Sequence, residues 1–290
     1  MFSKNRVIII PLMGGLGNQL FQYAAGINVH KFSSKKPKFS ITGLLAAENT
    51  PRLYMLGDLL KHGDFVTHGR IKLASLKLLS IVFPSIWVSE KELRDFPLDR
   101  LTKKSRVLLG YFQRHVYVDA VATEIIKAMS QSQVFAPVLS TSVSNDIAVH
   151  IRFGDYLTNL ETKKFHGLST MSYYVNAVNS LQRAHNYNQI VIYSDDVCKA
   201  YSDFTEAFGP SEIPVIAKEG SSELEDLAGM SSSRGLVISN STFSWWAAWI
   251  GTQLHECDVV APLPWFAVPS PADENLLHIN WTVLNRELQP

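Results

Sequence analysis

Cysteine is scarce in this chain of 290 residues: Cys198 and Cys257 are the two present, far apart and outside any CxxC or Cys/His cluster. That excludes a zinc site built on thiolates and suits a reducing compartment, with both thiols read as ordinary buried groups. An excess of charge is missing too. Lys and Arg number 27 against 26 Asp and Glu, a net charge of +1, which lacks the basic face that nucleic acid requires. Nor is there an unbroken run of 18 apolar residues. The nearest stretch, 71–88, is interrupted by Lys72, Lys77 and Pro84, so nothing reads as a membrane span. The apolar run at 7–12 is too short for a signal peptide's apolar region and cleavage site, and it leads straight into glycines; it reads as a buried strand.

What is present is core material. Apolar residues make up 46% and charged residues 18%, which excludes disorder and suffices for two domains of ordinary size. The chain opens as strand, helix and strand, over 7–12, 19–31 and 38–41, because Leu20, Tyr23, Ala24 and Ile27 recur at helical spacing between two short extended runs. The middle, 44–106, is less regular and reads as helical in pieces; a strand at 107–111 and a helix at 118–129 follow. A Ser/Thr/Asn-rich stretch, LSTSVSN at 139–145, is the linker candidate. Beyond it, extended runs at 147–151, 190–193, 213–216, 236–239 and 259–261 alternate with helical segments, which implies a parallel sheet covered on both faces. Polar residues follow these strands: Arg152 and Asp155, Ser194 to Asp196, Asn240 to Thr242. Ligands of open α/β sheets bind beyond the carboxyl ends of strands.

Three motifs could carry chemistry. Gly14-Gly15-Leu16-Gly17-Asn18-Gln19 stands between a strand and a helix. There glycines admit close backbone approach, a helix N-terminus favours phosphate, and the Asn18 carboxamide can donate. A bare bend explains the same residues equally well. It is not a dinucleotide fingerprint: Leu20 stands where the third glycine belongs, and no acid follows the second strand. In His150-Ile151-Arg152-Phe153-Gly154-Asp155, the imidazole and guanidinium share one side of a strand, placed to grip a base and a phosphate; a strand end with Arg152 paired to Asp155 is the alternative. Ser239-Asn240-Ser241-Thr242-Phe243-Ser244, followed by Trp245, Trp246 and Trp249, offers hydroxyls that cap a helix or hold a phosphate, with the tryptophans read as core. The sequon at Asn240 is read as accidental. Asp195 and Asp196 diverge on an extended chain without a third ligand, so they read as capping or structural groups, not as a metal site.

Six segments occur in order: GGLGNQLFQYA at 14–24, GYFQ at 110–113, HIRFGDY at 150–156, FHG at 165–167, YSDD at 193–196 and SNSTFSWWAAW at 239–249, with PLPWF at 262–266. Together they resemble the bacterial α1,2-fucosyltransferases of glycosyltransferase family eleven, over the chain from Met13 to Phe266. The resemblance implies an α/β chain of GT-B type, two Rossmann-like domains facing each other across a donor/acceptor cleft: an N-terminal, acceptor-side domain over 1–140 and a GDP-fucose-binding domain over 141–290. It implies inverting transfer of L-fucose from GDP-fucose to the 2-hydroxyl of a galactose-terminated glycan, with no cofactor and no metal. It assigns His150 to guanine, Arg152 to the β-phosphate, Asp226 to the guanine edge, and Ser241, Thr242 and Phe243 to the pyrophosphate. Gly17 and Asn18 face phosphate or fucose, while Gln19 and His166 face the acceptor. Arg152 would assist departure of GDP, and Asp155 is either the base or a support for Arg152. The family usually has a second arginine where this chain has Phe153. Surface polysaccharide (O-antigen) synthesis in the cytoplasm is the implied setting. Lys61, Arg70, Lys72 and Lys77 against Asp64 alone, among apolar residues, suggest either peripheral contact with an anionic membrane holding a lipid-linked acceptor or an ordinary packed helix.

Overall fold

The computed structural model describes residues 7–33, 35–41, 44, 53–59, 66–67, 70–90, 101, 104–140, 143–154, 167–267 and 273–287. The chain divides into two compact units, Met1–Gln133 and Val134–Pro290. The stretch LSTSVSN therefore lies inside the second unit, where it runs into that unit's first strand.

The first unit is built on a parallel sheet. β1 (Val7–Pro11) is a β-branched run whose Ile8, Ile9 and Ile10 are buried on both faces, as a central parallel strand requires. α1 (Leu16–Ser33) follows, three residues earlier at its start than the spacing suggests. Gly26 lets it settle on the sheet: a Cβ there would meet the Phe39 ring. β2 (Lys36–Ser40) pairs with β1, and β3 (Val66–Thr67) extends the sheet beyond it. α2 (Arg70–Val82) leads into β4 (Trp87–Ser89) and β5 (Val107–Leu109). The order is β3-β2-β1-β5-β4, so the stretch expected to be helical in pieces also supplies two short strands. The single helix expected over 118–129 is two, α3 (His115–Asp119) and α4 (Ala122–Met129). The buried, β-branched Val121 leaves the helical region between them, with φ −130° and ψ 22°.

The second unit has a six-stranded parallel sheet. β6 (Ser144–Ile151) sits at its centre; α5 (Met171–Ala184), β7 (Ile190–Ser194), α6 (Val197–Phe208) and β8 (Val215–Ala217) follow in the chain. Then come α7 (Glu223–Ser231), β9 (Ser233–Val237), α8 (Thr242–Leu254), β10 (Asp258–Leu263) and β11 (Thr282–Asn285), the last with no counterpart in the sequence reading. The order is β11-β10-β9-β6-β7-β8. Ile147, Val149 and Ile151 of β6 turn one face into a core with Tyr173, Val178 and Phe204, so His150 projects to the other. α8 buries Trp245, Trp246 and Trp249 completely, the first and last stacked with centroids 6.5 Å apart. The tryptophans are core, as their spacing indicates.

α2 is the reverse of α8. Leu78, Ile81 and Val82 are 68, 77 and 70% exposed, and Phe83 behind them is half exposed. Among the described residues no helix is long and apolar enough to cross a membrane. Cys198 is exposed at the start of α6, where a short first turn faces solvent, and only Cys257 is partly buried.

Candidate active site

In both sheets the strand order reverses at a defined point, β1/β5 in the first and β6/β9 in the second. Crevices at the carboxyl ends of such strand pairs are where open α/β sheets bind ligands. The motifs singled out from the sequence lie at these two places.

At the β6/β9 point, His150 is the penultimate residue of β6 and is 5% exposed. Its Nδ1 lies 2.9 Å from Ser239 Oγ, just beyond β9, and Ser239 Oγ lies 3.3 Å from Ser244 Oγ on α8. Burial, reinforced by the nearby Arg152 charge and opposed by Asp195, lowers the imidazole pKa to about 3. The ring is therefore neutral at physiological pH, one nitrogen engaged by a hydroxyl and the other free to serve as a donor or acceptor. The Phe243 ring stands 5.5 Å away, tilted by 51°.

Arg152 follows the end of β6 on a short loop. The loop is held by Asp195: its Oδ1 accepts the Phe153 amide at 2.9 Å and its Oδ2 the Gly154 amide at 2.6 Å. A carboxylate gripping two successive backbone amides fixes the loop that carries Arg152. Asp196 caps α6 by accepting from the Lys199 amide. The first acid of YSDD is thus a clamp and the second a helix cap. Phe153 turns away from Arg152 into the hydrophobic core, with Lys199 Nζ 5.2 Å from its ring centroid.

Ser241 caps α8, its Oγ accepting from the Phe243 amide at 3.3 Å. Thr242 and Phe243 form the first turn, whose amides the helix itself does not use. Asn240 is taken up structurally: its Nδ2 donates to the Gly167 and Trp265 carbonyls at 3.2 and 3.1 Å. Arg286, buried and invisible to motif reading, donates from Nη1 to the same Trp265 carbonyl at 3.3 Å, and its own carbonyl accepts from Thr170, the cap of α5.

Asp226 lies in the first turn of α7, where burial pushes its carboxyl pKa up and a hydroxyl donated by Ser221 counters that. α7 rests on Tyr193 near Gly229, and the Asp226 charge acts on that phenol. Tyr193 is the register partner of His150. Hence His150, Arg152, Ser241, Thr242 and Phe243 gather at one strand-pair end, with Asp226 one strand away. Asp155 and His166 lie outside the described residues.

At the β1/β5 point, Gly14 has φ +75°, and a Cβ there would lie 3.0 Å from both Cβ and Cγ of Asn18. Gly17 and Asn18 occupy the first turn of α1. Asn18 Oδ1 accepts from Gln113 Nε2 at 2.7 Å. Gln19, expected to face the acceptor, is instead withdrawn into the interior. Its Nε2 donates to the Gly14 and Leu53 carbonyls, and its Oε1 accepts from the Met55 amide. Its hydrogen-bonding capacity is spent on fixing the turn and segment 53–55.

A family model described as glycosyl transferase family 11 matches residues 104–285. An Escherichia coli alpha-1,2-colitosyltransferase is 30% identical, over 90% of this chain and 92% of its own. The E. coli O-antigen biosynthesis glycosyltransferase WbnK is 27% identical, over 88% and 94%. A crystal structure of POFUT1 in complex with GDP shares the fold at 12% identity, with a TM-score of 0.50 over 89% of this chain and 97% of that one.

Proposed function

The chain belongs to glycosyl transferase family 11, and from that premise we propose that it transfers L-fucose from GDP-β-L-fucose to the 2-hydroxyl of a galactoside, with inversion at the anomeric carbon. The observation that carries this reading is the Asp195-clamped loop that bears Arg152 at the end of β6, with the hydroxyl-capped N-terminus of α8 following the paired strand β9. A forked cation and a helix N-terminus together suit a pyrophosphate.

In this reading the Ser241, Thr242 and Phe243 turn receives the pyrophosphate, while neutral His150 and half-buried Asp226 meet the guanine. Gly17 and Asn18 offer amide donors to phosphate or sugar. The acceptor oxygen attacks the anomeric carbon, whose bond to the β-phosphate oxygen breaks. GDP leaves with that electron pair, its growing charge met by Arg152. The acceptor's proton passes to a carboxylate, which we assign to Asp155; His166 is assigned to the acceptor. Arg152 and the helix N-terminus supply the positive charge that the leaving group needs, so we infer that no divalent cation takes part. EDTA then leaves turnover unchanged, and a loss restored by Mg²⁺ or Mn²⁺ overturns that inference.

A second reading has a specific basis. The relative named alpha-1,2-colitosyltransferase points to GDP-colitose, whose sugar is fucose without the 3-hydroxyl. Both relatives' names support surface polysaccharide synthesis, O-antigen in particular, as the setting. The test supplies each GDP-sugar with galactose-terminated glycans, measures GDP release and determines the product linkage. Release with GDP-fucose and an α1,2 product is expected. Release with GDP-colitose alone reassigns the donor, and release with neither overturns the proposal.

A further inference from the structure

We propose that Gln113 is a positioning residue that fixes the orientation of the Asn18 carboxamide for substrate binding. This rests on the assignment of Asn18 to the donor made above.

The two residues come from opposite sides of the strand-order reversal in the first sheet: Asn18 from the first turn of α1, which follows β1, and Gln113 from the loop after β5. Two loops leaving such a strand pair normally diverge around a ligand crevice. Here they are tied side chain to side chain, Gln113 Nε2 donating to Asn18 Oδ1 at 2.7 Å. A primary amide has one acceptor end and one donor end. With the oxygen engaged by Gln113, the Nδ2 end of Asn18 is the end left to donate to a phosphate or sugar oxygen.

Three features built independently hold this pair. Gly14, with its positive φ, leaves the space that the Asn18 side chain fills, since a Cβ there would overlap it. Glu90, just past β4, accepts the Tyr111 and Phe112 amides at 2.8 and 3.0 Å, and Gln22 of α1 donates to the Gly110 carbonyl at 3.2 Å. Phe112, fully buried, has φ +57° and is the one non-glycine residue with positive φ among the described residues. A side chain seldom tolerates that conformation, and it persists where the surroundings over-determine it. The loop is thus forced into a shape that delivers the next residue, Gln113, to Asn18. A tie serving only to join α1 to the loop would not need this, because Gln22 already joins them.

The experiment compares wild type, Gln113→Glu, Gln113→Ala, Asn18→Ala and the Gln113→Glu/Asn18→Ala double variant, reading kcat and KM for GDP-fucose and the thermal midpoint. Glutamate is isosteric but cannot donate. It turns the Asn18 amide round and engages its nitrogen. Gln113→Glu is expected to lower kcat/KM by about 10- to 100-fold, the range for losing one hydrogen bond to a charged group, with the thermal midpoint held. Gln113→Ala, which leaves Asn18 free to rotate, loses less. The double variant is no slower than Asn18→Ala alone, as for residues acting through one another. A slow Asn18→Ala beside a wild-type-like Gln113→Glu, or losses that add in the double variant, overturns the positioning role. An Asn18→Ala enzyme with wild-type kinetics overturns the donor assignment itself.

Discussion

The crevice at the ends of β1 and β5 and the one at the ends of β6 and β9 are alike in topology and opposite in chemistry. Each ties a strand–turn–helix segment to the neighbouring strand's end by a hydrogen bond from side chain to side chain: Gln113 to Asn18 in the first unit, His150 to Ser239 in the second. The first uses glycines and neutral amides. The second adds a clamped guanidinium and a hydroxyl-capped helix. A neutral donor can orient a sugar or phosphate, but a migrating negative charge needs a cation. Under the proposed function, the second unit carries the groups suited to a leaving group, and the first carries neutral donors suited to positioning.

The sharpest break of this contrast is Arg152→Ala. Loss of a donor aimed at developing charge should slow kcat by about 10² to 10³, whereas Asn18→Ala should cost about 10- to 100-fold. Arg152→Lys keeps the charge without the fork and should recover part of the rate. Steady-state kinetics on purified protein decides; equal losses at Arg152 and Asn18 would erase the proposed division.

The clamp comes next. Asp195→Asn replaces one accepting oxygen with an amino group that faces the amide of Phe153 or Gly154. We expect kcat/KM to fall about tenfold, through misplacement of Arg152, with little change in thermal midpoint. If the midpoint falls and kinetics survive, Asp195 is a stability element alone.

Much of this was legible because the signals are local. β-branched runs marked the central strands, and the hydroxyls before Trp245 marked a helix cap. Phe153 lies in the core although it and Arg152 stand beyond the end of β6, where strand alternation no longer sets the direction of side chains. What stayed hidden depends on distant residues. Nothing near Glu90 indicates that it grips the Tyr111 and Phe112 amides, nor does Gln19 show that it would be buried against Leu53 and Met55. In the sequence Asp195 reads as a capping or structural group. Its pairing with amides 42 and 41 residues upstream could be seen only once β6 lay beside β7. The two strands in the middle of the first unit are two and three residues long, too short to show a period.

The two ties also differ in their response to pH. His150 is buried and its pKa is lowered from 6.5 to about 3, while the amides of Asn18 and Gln113 do not titrate. Below pH 6.5 the unfolded chain takes up a proton that folded His150 refuses, so stability falls as pH drops from 6.5 towards 3 and is fully present above 6.5. Urea midpoints of wild type and His150→Gln, measured between pH 7 and 4.5, should converge as pH falls. Parallel curves would mean that His150 does not carry this dependence.

The smallest expected effect concerns α2 and α8, both of 13 residues and both rich in apolar side chains. α8 spends them on the core, whereas α2 leaves Leu78, Ile81 and Val82 in solvent. The segment 66–89 contains Arg70, Lys72 and Lys77 and no acidic residue. Lys77 is exposed on the same helix, so an anionic bilayer would meet apolar residues and a cation together, a basic residue adding about 1 kcal/mol near such a surface. Peripheral contact of α2 with such a surface is the prediction. Co-sedimentation with vesicles of phosphatidylglycerol and phosphatidylcholine should retain wild type at low salt and release most of the Ile81→Glu/Val82→Glu variant, with turnover on soluble galactosides unchanged. If wild type ignores anionic vesicles, or if the variant converts a dimer to a monomer, α2 is no membrane contact, and its exposed residues must be explained by a protein partner.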